Sequence, residues 1–156
     1  WLELDYRAWN WADQQTTRLV DQEAAEFTNV LVGNEEEFKI LQEDINIQIS
    51  QCVANKQLMI LKRGKNGCSL FFGNDRLDAG IYNLPALKPY GSGDAFLGNV
   101  IINYMSSGDW QLAIEAGSAA AALVVSKQGC ASAMPKMEEI ELLQKNTTIK
   151  PKTIWS

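Results

Sequence analysis

The sequence predicts an α/β fold, a three-layer α/β/α arrangement around a mainly parallel, doubly wound sheet, and three observations predict it. Segments of strand pattern alternate with segments of helical pattern, the order that builds βαβ units. Leu58–Leu61 is an uninterrupted apolar run, which reads as a strand buried on both faces, as parallel strands are. The stretch Lys88 to Gly98, KPYGSGDAFLG, sets a glycine-rich turn at the head of a helix, the place where an α/β unit presents backbone amides to a ligand.

The elements follow in order. Leu2 and Leu4 alternate with Glu3 into a short strand ending at Asp5, and a helix runs from about Asp13 to Glu26. A strand near Asn29–Val32 precedes a helix from Glu35 to about Leu41. Ile45, Ile49, Cys52 and Val53 form the inner stripe of a further helix. After the Leu58–Leu61 strand, Cys68–Phe72 and about Leu77–Leu84 read as strands separated by the turn Gly73-Asn74-Asp75. Helices are expected over Ala95–Ser107, Trp110–Ser126 and Met137–Gln144. Because the chain opens inside a strand pattern, it reads as the C-terminal part of a larger, incomplete sheet.

Composition bounds the function. With 156 residues, 46% hydrophobic and 21% charged, the chain has globular composition and length for one ordinary core. The net charge of -5 argues against a nucleic-acid footprint, and no apolar run reaches membrane-spanning length. Cys52, Cys68 and Cys130 are odd in number and widely spaced, which suits free thiols in a reducing, cytoplasmic setting. The chain contains no histidine, so Ser-His and Cys-His nucleophiles are excluded and zinc is disfavoured.

The chemistry concentrates at Gly91–Asp94. Gly91 and Gly93 allow close backbone approach, the helix start supplies unpaired N–H groups and the positive end of its dipole, and Asp94 sets a proton acceptor beside them. A plain turn with Asp94 as a helix cap is the bland alternative. The glycines at 91, 93 and 98 do not fit the dinucleotide spacing, and no P-loop occurs. The segment resembles the second signature of the ribokinase-like (PfkB-type) carbohydrate kinases, in which Gly-Ala-Gly-Asp opens a helix. The resemblance implies an anion hole from Gly91, Ser92 and Gly93, and a catalytic base in Asp94 that also meets the substrate hydroxyl.

Weaker motifs agree with it. Asn34 and Glu37 have the spacing of a capping box; the resemblance adds a role in organising Mg²⁺ through its waters, and the two roles are compatible. Lys62-Arg63-Gly64-Lys65-Asn66-Gly67 is a tight glycine turn between strands whose cations are solvated, or, by resemblance, a nucleotide-side segment with Lys62, Gly64 and Gly67 near ATP. The run Gly117–Ala122 permits close packing; by resemblance Ala120 and Ala121 wall the adenine pocket. Gly129 and Pro135 match a glycine and a proline of the family. Arg7, in Asp5-Tyr6-Arg7, contacts substrate or phosphate, or simply pairs with Asp5 or caps a carbonyl.

Two departures stand out. Lys88 replaces an aspartate that commonly helps bind a monovalent cation, and Ala133 replaces a serine of the same site. An ammonium repels potassium and can take its place. With the Asp5-Tyr6-Arg7 element, Lys88 points within the family to kinases of inositol breakdown acting on a keto-deoxy sugar acid. The resemblance implies an ATP- and Mg²⁺-dependent sugar kinase with a small-molecule substrate and a homo-oligomeric intact form. Residues 1–156 would be the nucleotide-binding, C-terminal part of one domain whose N-terminal half and lid lie outside, inactive by itself. Kinases of fructose, ribose, 2-keto-3-deoxygluconate or nucleosides remain alternatives, as does a non-catalytic nucleotide-binding or assembly subunit.

Overall fold

The structure is a computed structural model that describes residues 1–147 and 149. It is an α/β fold of two compact units, Trp1–Gly64 with Ser69–Leu77, and Lys65–Cys68 with the chain from Asp78 onward.

In the first unit β1 (Leu2–Glu3), β2 (Val30–Asn34) and β3 (Leu58–Lys62) are parallel neighbours, with Leu2 opposite Leu31 and Val30 opposite Leu58. β4 (Cys68–Phe72) and β5 (Asp75–Ala79) follow, giving the sheet order β1-β2-β3-β4-β5. Two turn residues, Gly73 and Asn74, join β4 to β5, so this pair is antiparallel. β2 and β3 each bury their first four residues in succession, as strands covered on both faces do.

The helices of this unit are α1 (Gln14–Glu26), α2 (Glu35–Leu41) and α3 (Ile45–Ala54). Each begins at an acid or amide cap. Asp13 accepts from the Thr16 amide at 2.7 Å, Asn34 from those of Glu36 and Glu37, and Asp44 from that of Asn46. The core joins Leu4, Leu31, Phe38, Leu41, Cys52, Met59 and Leu61, with Ile45 and Ile49 packed against it. Gln48 is also buried on the inner stripe of α3, its amide directed at Cys52 Sγ at 3.4 Å, a polar member that an apolar-periodicity reading passes over.

The second unit is built on α4 (Ser92–Ser107), α5 (Trp110–Val125) and α6 (Met137–Asn146). α4 and α5 form a hairpin closed by Gly108 and capped by Asp109, with Tyr104 stacked on Trp110 at 3.6 Å between centroids. A Cβ on Gly117 would stand 2.6 Å from Val100 Cγ2 and 2.9 Å from the Phe96 carbonyl, so glycine sets how closely the two helices cross. Tyr82, Ala95, Ala116, Ala119, Ala120, Val124 and Ile140 make its core.

Several expected boundaries move. β1 stops at Glu3, followed by one more ladder bond from the Leu4 amide to the Val32 carbonyl, because Asp5 turns out of extended backbone with φ of 36°. The strand expected over Leu77–Leu84 is β5, two residues earlier, and it ends at Ala79. Asp75 belongs to this strand rather than to the turn. Beyond it, the Leu84 amide bonds the Tyr82 carbonyl, a three-residue turn that takes the backbone out of ladder geometry. The Gly64–Asn66 segment is a single 3₁₀ turn.

Candidate functional site

The segment leading into α4 is fastened before it turns. The Leu87 and Lys88 amides donate to the Val125 carbonyl at the end of α5 (2.8 and 3.3 Å), the Lys88 ammonium donates to the Tyr90 carbonyl (3.0 Å), and the Ser92 hydroxyl to the Pro89 carbonyl (3.0 Å). Gly91 then adopts φ of 83°, the left-handed region, as the N-cap of α4. A Cβ there would sit 2.7 Å from Cys130 Sγ and 3.3 Å from Val124 Cγ1, so conformation and space both require glycine.

This cap has a chemical consequence. α1, α2, α3 and α5 each start at an Asp or Asn whose side chain accepts first-turn amides, whereas α4 starts on a glycine that has no side chain to do so. The first helical bond of α4 runs from the Ala95 amide to the Gly91 carbonyl at 3.0 Å. Among the described residues the Ser92, Gly93 and Asp94 amides meet no acceptor. Asp94 lies in the first turn, not at the cap, and is exposed; among the described residues no hydrogen bond or ion pair engages its carboxylate. Unpaired amides at a helix dipole's positive end beside a free carboxylate can receive an anion and accept a proton.

The remaining residues singled out in the sequence fall as follows. In the first unit, Asn34 and Glu37 form a complete capping box: Asn34 Oδ1 accepts both amides at 2.9 Å, and Glu37 Oε2 accepts the Asn34 amide at 2.7 Å. Glu37 is buried, and Asp21 of α1 lies within its field; the Asp21 carboxyl is held above its ordinary range, first by burial and then by the Glu37 charge. Lys62 and Arg63 are not solvated as expected: Lys62 Nζ pairs with Glu3 and both side chains are mostly covered, while Arg63 is buried. Lys65 is exposed, and open space surrounds Gly64 on the side where a Cβ would point. Arg7 takes the Asp5 pairing, Nη2 to Oδ1 at 2.6 Å, and also donates to the Tyr6 carbonyl.

In the second unit Gly67 approaches its own chain, since a Cβ there would stand 2.0 Å from the Ala79 carbonyl oxygen. Ala120 has no exposed surface and is a core residue; Ala121 keeps a half-buried face. Ala133 is buried and Cys130 exposed, and none of the three cysteines is in a disulfide. The brace of Lys88 on Tyr90 and the fit of Cys130 under Gly91 were not legible in the sequence, because both depend on how the segments around Val125 and Cys130 return to the turn.

Within the first unit, the head of α2 offers a divalent ion one open oxygen. Both amides at the head of α2 use Asn34 Oδ1, while the second Glu37 oxygen carries no bond among the described residues. Among the described residues no three His, Cys, Asp or Glu side chains converge on a common point. That donor set fits Mg²⁺ that keeps its waters and binds chiefly to a substrate's phosphates, and it does not fit an all-protein cage. No helix among the described residues is long and apolar enough to cross a membrane.

Comparison with known proteins gives a consistent result. Residues 3–137 match the pfkB family carbohydrate kinase description. Among curated relatives, the 5-dehydro-2-deoxygluconokinase of Photobacterium profundum is 31% identical over 146 residues, covering 88% of this chain and 44% of its own length. The Bacillus subtilis enzyme of the same name is 30% identical, covering 90% and 45%. The chain thus spans less than half the length of these relatives. The crystal structure of a putative ribokinase II from E. coli in complex with ATP and Mg²⁺ superposes with a TM-score of 0.84 at 23% identity, over 93% of this chain and 48% of that one. A Vibrio cholerae fructokinase bound to fructose, ADP and potassium does so with 0.81 at 19% identity, over 90% and 48%. At these identities the structures show a shared fold.

Proposed function

The chain belongs to the pfkB family of carbohydrate kinases, and we propose that in the intact enzyme it is the nucleotide-binding, base-bearing part of an ATP-dependent sugar kinase. The observation that carries this reading is the uncapped start of α4 behind left-handed Gly91, with Asp94 free in its first turn. Phosphoryl transfer asks a protein for little covalent chemistry: charge must be stabilised as the phosphoryl group moves, and a hydroxyl must lose its proton. The Ser92, Gly93 and Asp94 amides donate to phosphate oxygens, and preorganised donors need no reorientation as charge develops. Asp94 accepts the proton of a primary hydroxyl as that oxygen attacks γ-phosphate in line.

The nucleotide side is read from Gly64, whose surroundings are open, and from the half-buried face of Ala121. Mg²⁺, when bound, neutralises charge on the transferring phosphates, with Glu37 reaching its waters. Support for the substrate comes from the curated relatives, whose shared name favours 5-dehydro-2-deoxygluconate. That acid belongs to inositol breakdown, a setting that agrees with a cytoplasmic enzyme carrying free thiols.

The test is Asp94→Asn in the full-length enzyme. Asparagine keeps size and polarity but removes the proton acceptor, so turnover should fall by about 10²–10⁴-fold, roughly 3–5 kcal/mol of barrier, with ATP affinity and thermal midpoint little changed. Turnover within about threefold of the parent, under roughly 1 kcal/mol, removes Asp94 as the base.

A further inference from the structure

We infer that Glu3 is a positioning residue: it holds the Lys62 ammonium at the carboxyl ends of β1, β2 and β3, where the ammonium receives a phosphate group of the nucleotide. The inference rests on the kinase reading for the identity of that anion, and on the geometry of the first unit for the rest.

Glu3, Asn34 and Lys62 are the last residues of three adjacent parallel strands. Open α/β sheets take their ligands at that edge. Glu3 stands opposite Val32, Lys62 stands opposite Asn34, and Val32 and Asn34 are two apart on β2, so all four side chains share one face of the sheet. The other face carries Leu4, Leu31, Met59 and Leu61 into the core. Lys62 therefore reaches across β2, from a strand about 10 Å from β1, to meet Glu3.

Its partner is a selected one. Glu35, Glu36 and Glu37 open α2 directly after Asn34, the residue opposite Lys62, yet among the described residues the ion pair of Lys62 is with Glu3. Only 17% of the Lys62 side chain and 18% of the Glu3 side chain are exposed. Desolvation offsets most of the attraction between two such charges, so the pair adds little to stability. What it adds is order. Lysine carries its charge on a flexible four-carbon stem, and a fixed carboxylate confines that charge before a ligand arrives. An ammonium has three N–H donors; among the described residues Glu3 Oε1 takes one and the others meet no acceptor. Lys62 also lies two residues before Gly64, whose surroundings are open. Protein kinases divide the work in the same way, with a glutamate holding the lysine that contacts ATP.

The test is the ATP affinity of the full-length enzyme, measured by calorimetry without sugar, together with its thermal midpoint without nucleotide. Lys62→Met should weaken ATP binding by roughly ten- to a hundredfold, the worth of a charge-assisted hydrogen bond in a covered place. Glu3→Met removes the anchor and should weaken it by about as much, while Glu3→Gln, which keeps a neutral acceptor, should fall between that variant and the parent. The double Met variant should lose no more than either single one, because both changes remove one interaction. It also replaces the pair by two unbranched apolar side chains, so it folds where a lone covered charge prevents folding. ATP affinity within about twofold of the parent in the double variant overturns the inference. So does a Glu3→Met protein whose midpoint falls while its affinity holds, which is a structural role alone. Tighter ATP binding by Glu3→Gln overturns it too, by making Glu3 a competitor of phosphate. A parent that binds no ATP overturns the kinase reading as well, whereas Asp94→Asn tests that reading through turnover at unchanged ATP affinity.

Discussion

Lys88 sets a residue-scale test of whether a side-chain ammonium stands in for a bound cation. Its ammonium already donates to the Tyr90 carbonyl, one residue before the left-handed glycine, and so places a fixed positive charge beside the turn that opens α4. A second cation at that carbonyl would meet like charge, and Ala133 offers no side-chain oxygen in compensation. The full-length enzyme should therefore be insensitive to monovalent cations. Exchanging potassium for tetramethylammonium at constant ionic strength should change turnover by less than about twofold, under roughly 0.5 kcal/mol. Strong potassium activation would show that other oxygens build a cation site. The lysine was legible in the sequence as a departure; what it touches was not, because Tyr90 reaches it only once the segment is pinned to Val125.

At the scale of elements, the contact between α1 and α2 is polar where a periodicity argument expects apolar packing. Arg18 Nε donates to the Ile40 carbonyl at 2.6 Å and Gln22 Nε2 to the Leu41 carbonyl at 3.1 Å, so side chains of α1 satisfy carbonyls at the end of α2. Asp21 lies between these two anchors in the sequence of α1, and burial followed by the Glu37 charge raises its pKa above the ordinary 3.8. For an acid whose folded value is raised, the protonated form is favoured by folding. Its contribution is complete below the unfolded value and is lost as pH climbs through the folded one. Asp21→Asn should accordingly raise the thermal midpoint at pH 7 and lose that advantage as pH falls below the ordinary carboxylate range. A midpoint at pH 7 equal to or below the parent's would contradict this. The elements themselves were largely legible, since caps and turns act locally: the Asn34–Glu37 box is readable from its spacing, as is the turn after Phe72, read as Gly73-Asn74-Asp75 and found to be Gly73-Asn74. What was not legible is set elsewhere in the chain, such as the Lys62–Glu3 pair formed between residues far apart in sequence, or by a local turn with no strong residue signature, as at Tyr82–Leu84.

For the molecule as a whole, the deciding quantity is the share of its relatives that the chain covers, 44% and 45% for the two enzymes compared. A kinase must hold two substrates in line and exclude water from them, so a chain with the proposed base and amides but under half of a relative's length should lack most sugar contacts. We expect the isolated 156-residue chain to show no sugar-dependent ATP turnover in a coupled assay, whichever sugar acid is supplied. Its solution behaviour should report the same incompleteness. β1 is an edge strand, and Trp9, Phe27, Ile102 and Met105 are large apolar side chains left in water. With a net charge of only -5 to oppose association, the isolated chain should self-associate at micromolar concentration. The two measurements are independent, which separates the readings. Turnover would show that these residues are a sufficient catalyst, whereas an inactive chain that stays monomeric and unfolds in one cooperative step would favour a self-standing nucleotide-binding or assembly subunit. Only inactivity together with self-association matches a kinase domain whose remaining half completes both the site and the core.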